Sequence, residues 1–106
     1  MSRNFYRVAA VSPTLNVADC DYNTGIIVDL ISTLSERSAD MCVFPELCIT
    51  GYTCGDLFHN STMIDSAMES LCRLVKSTDG NRMLVWVGAP LVHDGAMYNC
   101  AIAIAD

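Results

Sequence analysis

The amino-acid sequence predicts an α/β fold in which two helices cover one face of a mixed β-sheet. Three observations lead there. Short apolar runs bounded by proline or glycine read as strands, two longer segments repeat their apolar residues at helical spacing, and the order along the chain is strand, helix, strand, helix, strand, strand. The composition agrees: 106 residues with 52% hydrophobic and 17% charged side chains provide one core and one domain, far from the disordered class.

The elements follow in order. Tyr6 to Val11 is an apolar run ended by Ser12 and Pro13, and it reads as a buried strand. A polar connection through Asn16, Asp19 and Asp21 leads into an amphipathic helix from about Tyr22 to Arg37. It carries Ile27, Leu30, Ile31 and Leu34 on one side and Asp29, Thr33 and Glu36 on the other. Gly25 costs that helix about 1 kcal/mol relative to alanine, which is easiest to bear near its first turns. Met41 to Phe44 forms a second strand, closed by Pro45 because proline has no N–H for a sheet ladder.

From Cys48 to His59 the chain mixes Gly51, Gly55 and Asp56 with Tyr52 and Phe58, a combination that predicts an irregular loop with packed aromatics. Asn60, Ser61 or Thr62 can cap a second helix. Its expected stripe is Met63, Ala67, Leu71 and Val75, widened by Ile64 and Met68, and Asp79 with Gly80 stops it. Met83 to Ala89 and Ala96 to Ala105 are the last strands. Pro90 and a His93-Asp94-Gly95 turn join them into an antiparallel hairpin. Right-handed crossovers place both helices on one side, so the apolar strands' other face is expected to meet further chain or a partner.

Six Lys and Arg stand against twelve Asp and Glu, a net charge of -6 with no basic cluster, so nucleic acid and anionic membranes are poor partners. No apolar run approaches the roughly 18 residues of a membrane span, and the N-terminus lacks a signal-peptide core; a soluble, cytoplasmic protein is expected. Cys20, Cys42, Cys48, Cys54, Cys72 and Cys100 form no C-x-x-C pair and mostly lie in apolar runs, which predicts reduced, buried thiols rather than a disulfide scaffold or a zinc site. His59 and His93 are separated and read as loop residues.

The residues that carry chemistry begin at Val43-Phe44-Pro45-Glu46-Leu47, which sets a carboxylate just past the C-terminal end of a buried strand, where sites collect in α/β sheets. Between Phe44 and Leu47 that carboxylate is expected to be partly desolvated, which disfavours its charged form and draws its proton affinity toward neutral pH, where a general base is efficient. Glu46 is the candidate proton acceptor. The alternative is an ordinary loop carboxylate, exposed or paired with an arginine.

The run Phe44-Pro45-Glu46-Leu47-Cys48-Ile49-Thr50-Gly51-Tyr52 resembles the glutamate motif of the nitrilase, or carbon-nitrogen hydrolase, superfamily. Val87-Gly88-Ala89-Pro90, then Gly95 and Tyr98-Asn99-Cys100-Ala101, is similar to the hairpin that follows in that family. The first strand and Asn23 also match. Within the superfamily, Thr53-Cys54-Gly55-Asp56-Leu57-Phe58 looks most like the glutaminase domain of glutamine-dependent NAD synthetases.

This resemblance implies an α-β-β-α sandwich of which residues 1–106 supply an incomplete first part, with no second domain. It implies a thiol that attacks the glutamine side-chain amide, a glutamate that accepts its proton, and a lysine that steadies the tetrahedral intermediate. Only the glutamate maps here, onto Glu46, and the isolated chain is expected to be inactive. Tyr52 is expected to shape the substrate pocket beside it, with packing against Phe58 as the alternative. Cys54 lies near Glu46, yet the family pattern gives it no role as nucleophile; Asp56 reads as a turn carboxylate and Lys76 as a solvated helix residue. This segment is expected to bind no cofactor, whereas ATP and magnesium are implied for a synthetase domain that would use the ammonia. The implied partners are glutamine, the rest of the domain, that synthetase domain and further copies in a homo-oligomer. Two other readings stay open: another nitrilase-superfamily amidase or carbamoyl hydrolase, and a non-catalytic interaction module built on the open sheet face.

Overall fold

A computed structural model describes residues 5–51 and 61–105. Strands β1 (Val8–Ala10), β2 (Met41–Val43), β3 (Leu84–His93) and β4 (Ala96–Ile104) form one sheet in that spatial order, with helices α1 (Cys20–Glu36) and α2 (Ser61–Ser77) between them in sequence. β1, β2 and β3 run parallel, and β4 returns antiparallel on β3. The expected α/β class and the element order are those observed. Asp94 and Gly95, both at positive φ, make the two-residue turn of the hairpin. That backbone geometry follows the right-handed twist of the flanking strands and is easiest for Asp-Gly.

Each helix carries its own start and stop signals. The Asp19 carboxylate accepts from the Tyr22 N–H at 3.1 Å, which caps the first turn of α1. At its other end Ser38 adopts φ 62°, Ser38 N–H donates to Ser35 O and Ala39 N–H donates to Leu34 O, a Schellman closure with serine where glycine is usual. Thr78 Oγ1 donates to Leu74 O at 2.8 Å past the end of α2, and Gly80 follows at φ 81°.

The core lies between the helices and one sheet face. Ile27 and Ile31 of α1, Met63, Ala67, Leu71 and Leu74 of α2, and Cys42, Val85, Val87 and Ile104 of the strands are buried together. The α1 stripe is as the sequence indicates. The α2 stripe differs: Ser70 and Leu74 are buried, whereas Val75 is 55% and Met68 48% exposed. The cause is helical phase. Each i+4 step overshoots a full turn by roughly 40°, so a row continued from Met63 through Ala67 and Leu71 has swung about 120° by Val75. Alternating steps of three and four, through Ser70 and Leu74, keep the buried row facing the sheet.

A second difference concerns Pro90, expected in the connection but found inside β3, opposite Asn99. Trp86 O and Gly88 O both accept from the β2 side, from Phe44 N–H and Ile49 N–H. Strand alternation turns the Pro90 nitrogen the same way, beyond the end of β2, where no ladder bond is required. His93 is correspondingly the last strand residue, with its Nε2 3.3 Å from the Asp94 carboxylate and both side chains exposed.

No helix of the described residues covers the opposite face of the sheet, which is bare among them. Val8 is 55% and Val43 39% exposed there, where strand pairing lines up Val8, Met41 and Leu84 and, next to them, Ala10, Val43, Trp86 and Ala103. No helix of the described residues is long and apolar enough to cross a membrane.

Candidate active site

The site is built on the bare face. Chain after β2 runs on through Phe44, whose N–H donates to Trp86 O at 2.9 Å, and Pro45 ends the ladder. Phe44 and Leu47 turn into the core and are buried, while Glu46 between them is exposed. This corrects the expectation that the two neighbours desolvate the carboxylate: past Pro45 the strand gives way to a turn, which carries Glu46 out to the exposed side while Phe44 and Leu47 are buried. The carboxylate is not adrift in solvent, however. It borders a concavity of about 460 Å³ lined by Val43, Trp86, Gly88, Asn99 and Ala101, residues of one pleat face, together with Phe44, Pro45 and Cys100. Asn99 Nδ2 donates to Glu46 Oε1 at 2.6 Å. An amide on β4 thus reaches a carboxylate just past the tip of β2, across β3 near Gly88 and Pro90.

The turn that presents Glu46 is tightly tied down. Leu47 adopts φ 52°, a left-handed conformation that costs an L-residue roughly 1–2 kcal/mol. Several bonds hold it there. Gly51 N–H donates to Leu47 O at 2.7 Å, Ile49 N–H donates to Gly88 O at 3.2 Å, and the Cys48 thiol lies 3.4 Å from the Gly88 nitrogen. A backbone outlier beside a candidate proton acceptor fits the pattern of strain held at functional sites.

Two residues make that turn possible. At Gly88 a Cβ would stand 2.3 Å from Leu47 N, 2.9 Å from Pro45 O and 3.0 Å from Glu46 C, so glycine is required by the approach of the loop. Asn23, at the start of α1, is fully buried and joins the two loops at this end of the sheet. Its Nδ2 donates to Asn16 O at 2.8 Å and to Ile49 O at 2.9 Å, and its Oδ1 accepts from Asn16 N–H at 2.8 Å. Ala18 N–H adds a bond to Thr50 O at 2.7 Å. A buried amide with its bonds satisfied fixes geometry where an apolar residue could only fill space.

Of the sequence-selected residues, Glu46 lies in the concavity and Lys76 is exposed on α2, in the helix layer on the other side of the sheet. Tyr52, Cys54, Asp56, Phe58 and His59 lie outside the described residues. The sequence motifs included Gly88, Asn99 and Asn23 without assigning them work. A glycine and an asparagine inside otherwise apolar strand runs were the available signals.

The thiols divide by burial. Cys20, Cys42 and Cys48 are buried as expected, whereas Cys100 is partly exposed at the concavity and Cys72 is exposed on α2. Burial pushes the Cys42 thiol from 9.0 up to about 11. The same desolvation takes Cys48 to about 11 although its bond to the Gly88 backbone opposes the rise. Neither is a thiolate at neutral pH. Among the described residues no group of three His, Cys, Asp or Glu is placed to hold a metal ion.

Comparison with known proteins matches residues 7–106 to the carbon-nitrogen hydrolase family. The glutamine-dependent NAD(+) synthetase of Mycobacterium tuberculosis is 31% identical over 100 residues, 94% of this chain and 15% of the relative. That of Saccharomyces cerevisiae is 31% identical over 88 residues, 83% of this chain and 12% of the relative. The crystal structure of a glutamine-dependent NAD(+) synthetase from Cytophaga hutchinsonii superposes with a TM-score of 0.87 at 28% identity, covering 94% of this chain and 17% of that one. An amidase from Nesterenkonia sp. shares the fold, with a TM-score of 0.68 at 22% identity over 80% of this chain and 32% of that one. The chain therefore spans 12% to 15% of the length of these curated relatives.

Proposed function

We propose, from the premise that this chain belongs to the carbon-nitrogen hydrolase family, that it forms the first part of a domain hydrolysing the side-chain amide of glutamine, with Glu46 as proton acceptor. The observation that carries the reading is the placement of Glu46. An ionisable group at the C-terminal end of a parallel strand, in a concavity and gripped by an amide, is placed to exchange a proton with a reacting group. In the proposed reaction a thiol elsewhere in the domain gives its proton to Glu46 and attacks the amide carbon; the proton then goes to the departing nitrogen, and ammonia leaves a glutamyl thioester. Water, giving a proton to Glu46, attacks that thioester to release glutamate while the proton returns to the thiol.

The relatives near 31% identity are glutamine-dependent NAD(+) synthetases, which supports glutamine as the amide and a synthetase as consumer of the ammonia; ATP and magnesium for that synthetase are what the sequence resemblance implies. The amidase likeness bears on the fold alone. Lys76 faces away from the concavity, and this reading assigns both the lysine and the thiol of the reaction to sequence other than these 106 residues. The isolated chain is accordingly expected not to hydrolyse glutamine. Tyr52 is proposed as a wall of the substrate pocket.

Glu46→Gln in the full-length protein tests the assignment. It keeps the shape of the side chain and removes its basicity. Ammonia release from glutamine should fall by at least about 10³-fold, while product formation from added ammonium is retained. Equal loss of both activities would mean a structural role for Glu46.

A further inference from the structure

We infer that Asn99 is a positioning residue for Glu46, holding one carboxylate oxygen so that the other receives the proton. The inference rests on the proposed role of Glu46 and extends it to a residue on a different strand. Glu46 itself sits in a loop and is solvent-exposed, so its side chain has rotational freedom to lose before it can act. Asn99 is in the middle of β4, paired with Pro90 and backed by a nine-residue register with β3. A rigid strand therefore supplies the donor, whose Nδ2 lies 2.6 Å from Oε1, within hydrogen-bond distance.

The chemistry suits an amide better than a charged partner. When the thiol proton arrives on Oε2, Oε1 becomes the carbonyl oxygen of a neutral acid and can still accept from Asn99 Nδ2. The bond survives the whole proton cycle. An ammonium or guanidinium in the same place would bind the carboxylate far more strongly than the acid and oppose proton uptake. Asn99 also points the carboxylate over the concavity, because it shares a pleat face with Val43, Trp86, Gly88 and Ala101, which line it. A donor on the neighbouring pleat position would draw Glu46 toward the core side.

The test is steady-state glutamine hydrolysis by the full-length protein carrying Asn99→Asp, Asn99→Leu, Asn99→Gln or Glu46→Gln, with thermal unfolding of each. Asn99→Asp is nearly isosteric, loses the donor and adds a like charge, so kcat should fall about 100-fold. Asn99→Leu should fall about 10-fold to 30-fold, and Asn99→Gln, which restores an amide donor, should recover part of that loss. KM should stay within about threefold throughout, and the melting temperature of Asn99→Asp should stay near that of the parent. Wild-type kcat in Asn99→Asp, or a fall that tracks the loss of thermal stability with no recovery in Asn99→Gln, overturns the inference while leaving Glu46 in place. Hydrolysis that persists in Glu46→Gln removes the proposed function itself and the role of Asn99 with it.

Discussion

Adding a single methyl group at position 88 should unfasten the turn that carries Glu46. A Cβ built on Gly88 lies 2.3 Å from Leu47 N, about an ångström inside ordinary contact, and close to Pro45 O and Glu46 C as well. All three obstacles are backbone atoms, so no side chain can rotate out of the way. Either β3 or the 45–47 turn must shift, and the turn is fastened to Gly88 itself by Ile49 N–H and the Cys48 thiol. Gly88→Ala should therefore cost about 1–3 kcal/mol of stability by overpacking. A carboxylate displaced by about an ångström should also lose on the order of 100-fold in turnover. Urea unfolding and glutamine hydrolysis measure the two effects. Gly25→Ala in α1 is the control, since its Cβ would meet the Arg73 guanidinium of α2 at an ordinary 3.8 Å; it should gain up to about 1 kcal/mol. A Gly88→Ala protein with parental stability and turnover would refute the close-approach argument.

Asn23→Leu should cost about 2–3 kcal/mol in urea unfolding, because it leaves Ile49 O without its donor in a buried place and Asn16 N–H without its acceptor in a part-buried one, while Asn16 O keeps the Asp19 N–H. Ser38→Gly should raise stability by about 1 kcal/mol, since the φ 62° that closes α1 is strained for serine and unstrained for glycine; no change in the unfolding midpoint would contradict that. Iodoacetamide at pH 8 should label the exposed Cys72 promptly and reach Cys42 and Cys48 only on unfolding, as mass mapping of labelled peptides would show. Those two raised thiols favour the folded state below pH 9.0. The unfolded chain releases their protons first, so their contribution declines from pH 9.0 and is lost by about pH 11, and the urea midpoint should drop through that window.

Local pattern carried a great deal. Apolar period separated strands from helices, proline and glycine marked the breaks, and Asp94-Gly95 encoded the hairpin turn, because each of these signals acts within a few residues. The position of Glu46 at the tip of β2 was legible for the same reason: Pro45 has to end the ladder there. The sequence also pointed to the family through the motif around Glu46.

What needed tertiary structure is whatever depends on which face an element presents and which distant residue meets it. The α2 row swings from Val75 to Ser70 and Leu74 because the sheet beneath decides which phase of an ambiguous pattern is buried. Pro90 sits within β3 because β2 has already ended beside it. Glu46 is open to solvent despite apolar neighbours, since the turn that follows Pro45 aims it at the sheet face that the described helices do not cover. Its bond to Asn99 joins residues 53 apart in sequence. Strand register brings that pair together, and a shift of one residue would turn Asn99 to the other face.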